Sequence, residues 1–201
     1  VMIKPSEFTP ATSELMRHMI AEVFDPSEVV VVTGGADIGQ AFGGLAFDHL
    51  IFTGATSIAR HVMAAAAKNL VPLTLELGGK SPVVVGDSAD IALTCDRIMW
   101  GKVTNAGQIC LAPGYCFVPE DKLTVFVEGF KASVAKMVPT LLDNPDYTSV
   151  INERHYQRLQ SYIADAKDKG ATIISINPAN ESFLDQPFHK IIGVRKSEIG
   201  N

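Results

Sequence analysis

Two hundred and one residues, 47% hydrophobic and 19% charged, can build a substantial core and are a poor match to disorder. The net charge of -5 leaves no basic footprint for nucleic acid, and there is neither an eighteen-residue apolar run for a membrane nor a signal peptide behind Val1-Met-Ile-Lys-Pro5. A soluble, cytoplasmic protein is the default reading, and three cysteines, Cys95, Cys110 and Cys116, lack both disulfide parity and metal-ligand spacing, so zinc and disulfide frameworks are poor fits and no metal site is expected.

Met2 and Ile3 read as a strand end running into Lys4-Pro-Ser-Glu7. Thr9 and Pro10 form an N-cap and first-turn pair, and Leu15, Met19, Ile20 and Val23 recur at helical spacing until Asp25-Pro26. A strand from Val29 to Thr33 ends in Gly34-Gly35, and a helix from about Asp37 to Leu45 follows. The next strand, His49 to Thr53, closes with Gly54. An alanine-rich helix from about Thr56 to Asn69 leads to a strand from Pro72 to Leu77. Repeated strand-helix units with apolar strands predict an α/β fold with a parallel sheet covered by helices. Ligands of such sheets sit beyond the carboxyl ends of the strands, where Lys4, Glu7, Gly34, Gly35, Gly54, Ala55 and Glu76 fall.

The character changes after Leu77, which places a domain boundary between residues 1–77 and 78–201. Ser81 to Gly86 predicts a strand and Asp90 to Val103 a helix with Asp87 or Ser88 near its start, carrying Ile91, Ile98, Met99 and Trp100. Tyr115 to Val118 is strand-like. One helical face is marked by Leu123, Phe126, Val127, Phe130, Val134 and Met137, and a second by Ile151, His155, Leu159, Tyr162, Ile163 and Ala166, ending at Gly170. Ala171 to Ser175 reads as a strand. His189 to Asn201 predicts no element.

Two side chains stand out chemically. Cys110 follows the small-residue stretch Asn105-Ala-Gly-Gln108 on a loop between two apolar elements, which leaves room for a substrate and for its own backbone N-H to act as oxyanion donor. A cysteine thiol ordinarily titrates near pH 8.5, about, and so needs an activating site to react at neutral pH. Cys95, on a helical face, and Cys116, within a strand, read as inert core. Glu76 ends an apolar strand, where burial would be expensive for a carboxylate without a task and would move it towards the range of a general base. A structural reading, with Glu76 paired to a lysine such as Lys80, stands beside this one. His18, His49, His61, His155 and His189 share no motif with Cys110, which argues against a cysteine-histidine protease.

Leu75-Glu-Leu-Gly-Gly-Lys80 and Gly107-Gln-Ile-Cys110 resemble the general-base and nucleophile motifs of the aldehyde dehydrogenase superfamily, in its order and near its spacing. Phe47-Asp-His-Leu-Ile-Phe-Thr-Gly54, Ala64-Ala-Ala-Ala-Lys68 and Asn105-Ala-Gly-Gln108 look most like its class-three and coniferyl-aldehyde branch.

The resemblance implies part of a Rossmann-like NAD-binding domain followed by part of a catalytic domain. It also implies oxidation of an aromatic or medium-chain aldehyde to the acid through a Cys110 thiohemiacetal and thioester, with Glu76 activating the hydrolytic water. Lys4 and Glu7, as in the family's Lys-Pro-Ser-Glu, would hold the adenine-side ribose. Gly35, Gly39, Phe52, Gly54, Ala55 and Leu77 would line the rest of the cofactor site. Glu7 would repel a 2′-phosphate, favouring NAD, with NADP as the alternative. Ala55 stands where the family often has serine, and Ala59 where it often has glycine. The resemblance further implies an internal fragment of a homodimeric or homotetrameric parent, inactive alone: the family's oxyanion asparagine would precede Lys4, and its Glu-Phe-Gly-Pro-like motif does not follow His189. Two rivals remain open, a non-catalytic nucleotide-binding or subunit-contact module and a cofactor-free thioesterase using Cys110 and Glu76.

Overall fold

The computed structural model describes residues 1–142 and 144–183. In chain order its elements are β1 Met2–Ile3, α1 Pro10–Val23, β2 Val30–Val31, α2 Ala36–Gly43, β3 Leu50–Gly54, α3 Thr56–Ala66, β4 Leu73–Leu77, β5 Ser81–Val84, α4 Ile91–Val103, β6 Pro113–Phe117, α5 Leu123–Met137 and α6 Glu153–Asp168. The chain divides into two compact units, Val1–Gly78 and the part from Gly79 onward. Among the described residues the three strand pairings are parallel, β1 with β2, β3 with β4 and β5 with β6, as the alternation of strand and helix implies.

The expected single sheet is instead three two-stranded ladders among the described residues. A sheet is continuous only where adjacent strands exchange hydrogen bonds, and β1 and β2 pair over just two residues each. The strand expected over Ala171 to Ser175 is also not formed. An extended run becomes a strand only when a neighbour supplies ladder partners, and this one has none among the described residues. Its successor Ile176 is nevertheless buried. The prediction for His189 to Asn201 lies outside the described residues.

In the first unit, β3 and β4 run in register with Thr53 opposite Glu76 and Gly54 opposite Leu77. Alternation puts Leu50, Phe52, Leu73, Leu75 and Leu77 on the covered face and Ile51, Thr53, Thr74 and Glu76 on the open one. The covered face meets α3, and Leu50, Ala66 and Val71 form the core with Phe42, Phe47, Val62 and Leu73. Helix α1 departs from expectation. Of its predicted apolar stripe, Leu15, Met19 and Val23 are 60%, 59% and 72% exposed and only Ile20 is half-buried, because the helix turns Ser13 inward. The Ser13 hydroxyl donates to the Ser6 carbonyl at 3.1 Å, which satisfies it where it is buried. Thr9 does not cap the helix. Its hydroxyl donates to Ser6, so Pro10 alone carries the start signal.

In the second unit, α4 and α5 pack together around Cys95, Ile98, Met99, Phe126, Phe130 and Val134, with the Phe126 and Phe130 rings 4.3 Å apart. Trp100, named with Ile98 and Met99 in the helical pattern, is 68% exposed, since it follows them round to the opposite side of α4. The cap of α4 is Asp90 itself, accepting the Leu93 N-H at 3.0 Å, rather than Asp87 or Ser88. Helix α6 is capped by Asn152 and ends at Gly170, where the Ala171 and Gly170 amides return to the Ala166 and Lys167 carbonyls. Its buried aromatic is Tyr156, not Tyr162, whose ring lies under Arg158.

Candidate active site

The second unit mounts Cys110 between α4 and β6, on a loop whose backbone is unusual. Asn105, Ala106 and Gly107 all have positive φ, at 47°, 52° and 71°. Left-handed backbone costs an ordinary residue on the order of 1–2 kcal/mol, with asparagine and glycine most tolerant. Ala106 bears the larger share of this, and its methyl is fully buried. The turn delivers an exposed Cys110 thiol between the exposed side chains of Ile109 and Leu111. The Ala112 N-H donates to the Ile109 carbonyl at 3.1 Å and closes the loop beneath it.

The other two cysteines are set apart from this one by burial. Cys95 has no exposure, and its thiol is pushed up to about 11 by burial first and then by the nearby Asp96 carboxylate and Cys116. Cys116 is half-buried and likewise raised, again chiefly by burial, with the Lys102 charge opposing.

Two supports of the loop are not legible in sequence. Lys102, at the end of α4, donates through Nζ to the Pro113 carbonyl at 2.9 Å, and burial holds its ammonium below the usual lysine range. Gly79 is the second: a Cβ there would stand 3.0 Å from the Cys110 carbonyl oxygen, so the second glycine of Leu-Gly-Gly-Lys admits the cysteine backbone. The Gly-Gly pair is the available signal, although sequence alone does not say what approaches it.

The first unit gathers several of the predicted cofactor residues. The Lys4 ammonium lies 3.3 Å from a Glu7 carboxylate oxygen and donates to the Pro5 carbonyl at 2.9 Å. The Glu7 carboxyl is held below its ordinary range by a backbone hydrogen bond first, with the Lys4 contact adding to it. Gly39 of α2 closes the group: a Cβ there would meet Lys4 Cε at 3.4 Å. Any larger side chain would displace the lysine stem. Gly35 is the N-cap of α2.

On β3 the Phe52 ring folds back over Gly54, where a Cβ would approach it to 2.7 Å. Ala55 precedes α3 and offers no side-chain cap, while its carbonyl accepts the Ile58 and Ala59 amides at 3.0 Å. Ala59 is itself buried. Leu77 is half-buried opposite Gly54. Glu76 is a correction. Expected buried, it is exposed, because period-two alternation on β4 sends it to the open face with Thr74 and Ile51.

The family's sequence profile, described as the aldehyde dehydrogenase family, matches residues 1–186. The chain belongs to the aldehyde dehydrogenase family. A probable coniferyl aldehyde dehydrogenase of Caulobacter vibrioides is 57% identical over 190 residues, covering 94% of this chain and 39% of that protein. The coniferyl aldehyde dehydrogenase of a Pseudomonas species is 54% identical, over 94% of this chain and 40% of its own length. Among solved structures, substrate-bound AldH of Staphylococcus aureus superposes with a TM-score of 0.78 at 37% identity, covering 86% of this chain and 37% of that one. Betaine aldehyde dehydrogenase of the same organism, complexed with NAD+, gives 0.80 at 28%, over 94% and 39%. The chain therefore spans about two-fifths of the length of the curated relatives it matches. The α/β class expected from the strand-helix alternation, and the Rossmann-like form that the resemblance implied, agree with these neighbours. No helix among the described residues is long and apolar enough to cross a membrane.

Proposed function

We propose that these residues carry the nucleophile, the base and part of the cofactor site of an NAD(P)-dependent aldehyde oxidation, acting on aromatic or medium-chain aldehydes as the names of the coniferyl relatives favour. The observation that carries this is the left-handed Asn105–Gly107 turn presenting an exposed Cys110 while Cys95 and Cys116 are withdrawn. The division at Leu77 and Gly78 separates a cofactor part, residues 1–77, from a cysteine-bearing part, residues 78–201.

The pieces fit a dinucleotide. Lys4 donates and Glu7 accepts, as ribose hydroxyls require; the Gly39 backbone leaves space beside them; Gly35, Phe52, Gly54, Ala55 and Leu77 surround the starts of α2 and α3. The Glu7 carboxylate disfavours a 2′-phosphate, so NAD is preferred. Bound NAD(P) supplies the hydride acceptor that balances the oxidation.

Cys110 performs the covalent chemistry. Its thiolate adds to the aldehyde carbon, and the oxyanion of the resulting thiohemiacetal is met by the Cys110 backbone N-H. Oxidation leaves the acyl group on sulfur as a thioester. Glu76, exposed on the open face of β4, takes a proton from the water that attacks this thioester, releasing the acid and the thiol.

The test is a chimera in which these 201 residues replace their counterpart in the Caulobacter relative. It should oxidise coniferyl-type aldehydes with NAD(P), Cys110→Ala should abolish turnover, and Glu76→Gln should accumulate acyl-enzyme. Ester cleavage indifferent to NAD(P), or turnover surviving Cys110→Ala, would overturn the reading. The 201-residue chain assayed alone, which spans about two-fifths of the curated relatives it matches, should turn over at least about 100-fold more slowly than the chimera.

A further inference from the structure

Three hydrogen bonds converge on the side chain of Gln108, two residues before the cysteine. Its Nε2 donates to the backbone carbonyls of Asn105 at 3.1 Å and Ser149 at 3.0 Å, and its Oε1 accepts the Ile151 N-H at 2.9 Å. Both ends of the amide are used, and two of the bonds span 41 and 43 residues within the unit that begins at Gly79. The far end is itself anchored: Val150 is buried, and Asn152 accepts the His155 N-H at 3.0 Å to start α6. On the near side, Asn105 Nδ2 donates to the Gln108 carbonyl at 3.2 Å, so the amide closes the same left-handed turn that it ties down. The downstream end of the loop is held separately, by Lys102 on the Pro113 carbonyl.

We propose that Gln108 is a positioning residue for Cys110: its amide fastens the strained Asn105–Gly107 turn to segment 149–151 and so sets where the thiol is presented. The proposal rests on the reading of Cys110 as nucleophile. Backbone that costs free energy persists only where its surroundings over-determine it, and Gln108 supplies two donated bonds and one accepted bond from a single amide. Methionine has the length without the bonds. Glutamate keeps the acceptor for Ile151 and loses both donors.

The test uses the 201-residue chain and its Gln108→Met and Gln108→Glu variants, with amide hydrogen exchange over residues 104–112 and 147–152 and iodoacetamide labelling mapped to each cysteine. In the parent chain, Cys110 should label at least about tenfold faster than Cys116. Gln108→Met should speed exchange at Ile151 and across the turn by about tenfold, whereas Gln108→Glu should speed the turn and spare Ile151. Coupling is reciprocal, so alkylating Cys110 should change exchange at 149–151 by about threefold or more in the parent and leave Gln108→Met unmoved. Parent-like exchange at Ile151 in Gln108→Met, or an equal response to alkylation in both chains, overturns the proposal. If Cys110 labels no faster than Cys116, it is the nucleophile reading that fails, and the exchange arm still decides the turn. Should Gln108→Met lose protection throughout α4 and α5, Gln108→Glu decides: parent-like exchange across its turn overturns the proposal, and faster exchange confined to the turn supports it.

Discussion

In the unit from Gly79 onward, Phe126, Phe130, Val134, Cys95, Ile98 and Met99 share one filled core, and the cysteine loop hangs directly from the end of α4. In Val1–Gly78 the buried residues of the β3–β4 core are Leu50, Ala66 and Val71, and the apolar stripe of α1 faces outward. The contrast shows two ways of holding functional groups. Cys110 is positioned by long-range packing and side-chain bonds to distant backbone. Lys4, Glu7, Gly39, Gly54 and Ala55 are positioned by local turns and close approaches, with little core beneath them.

Phe126→Ala should have the largest effect, about 3–5 kcal/mol for a buried aromatic. Hydrogen exchange should show protection lost in α4 and α5 and retained in α3; equal loss in α3 would mean that the two units do not unfold separately. Gly34→Ala should do the reverse and cost the first unit roughly 1–3 kcal/mol, because φ there is +151° and the new Cβ would stand 2.5 Å from Ile38 Cγ1. Chemical denaturation that leaves α2 and β3 untouched would count against the local-turn account.

The helix starts sharpen the comparison. Asp90→Ala removes a side-chain cap from α4 and should destabilise by about 1 kcal/mol, whereas Ala55→Ser adds one to α3 and should stabilise by a similar amount. Thermal shifts of the same sign would contradict the cap assignments. The smallest effect concerns Asp96, whose carboxyl is held below its usual range by the Ser133 hydroxyl first and then by Lys136. A depressed carboxyl contributes stability above its unfolded value of about 3.9 and loses it as pH falls through the folded value. Asp96→Asn should therefore weaken the second unit at neutral pH, and its difference from the parent should shrink as pH falls below about 3.9, read from pH-dependent melting.

Much of this molecule is legible from its residues. Pro10, Gly170, the apolar positions of α5 and the apolar run of β4 each announce an element through local preference, and the structure places those elements within a few residues of expectation. The cysteine loop stands out because Asn105-Ala-Gly-Gln108 is small and polar between apolar neighbours. Such a composition implies freedom, but Gln108 pins the loop, and nothing near position 108 names Ser149 or Ile151 as partners. Glu76 illustrates the opposite failure. Its place on an apolar strand implies burial, yet alternation turns it outward.

The order of residues alone determined the α/β alternation, the parallel pairing and the membership of Cys110 and Glu76 in recognisable motifs, since these depend on preferences acting over a few neighbouring residues. Only the folded chain decided which apolar faces are covered, that a glycine at 79 admits the Cys110 carbonyl, and that an amide at 108 reaches backbone some forty residues away. Such contacts form where separate segments return to one place, and that return is a property of the packed core rather than of any stretch of sequence.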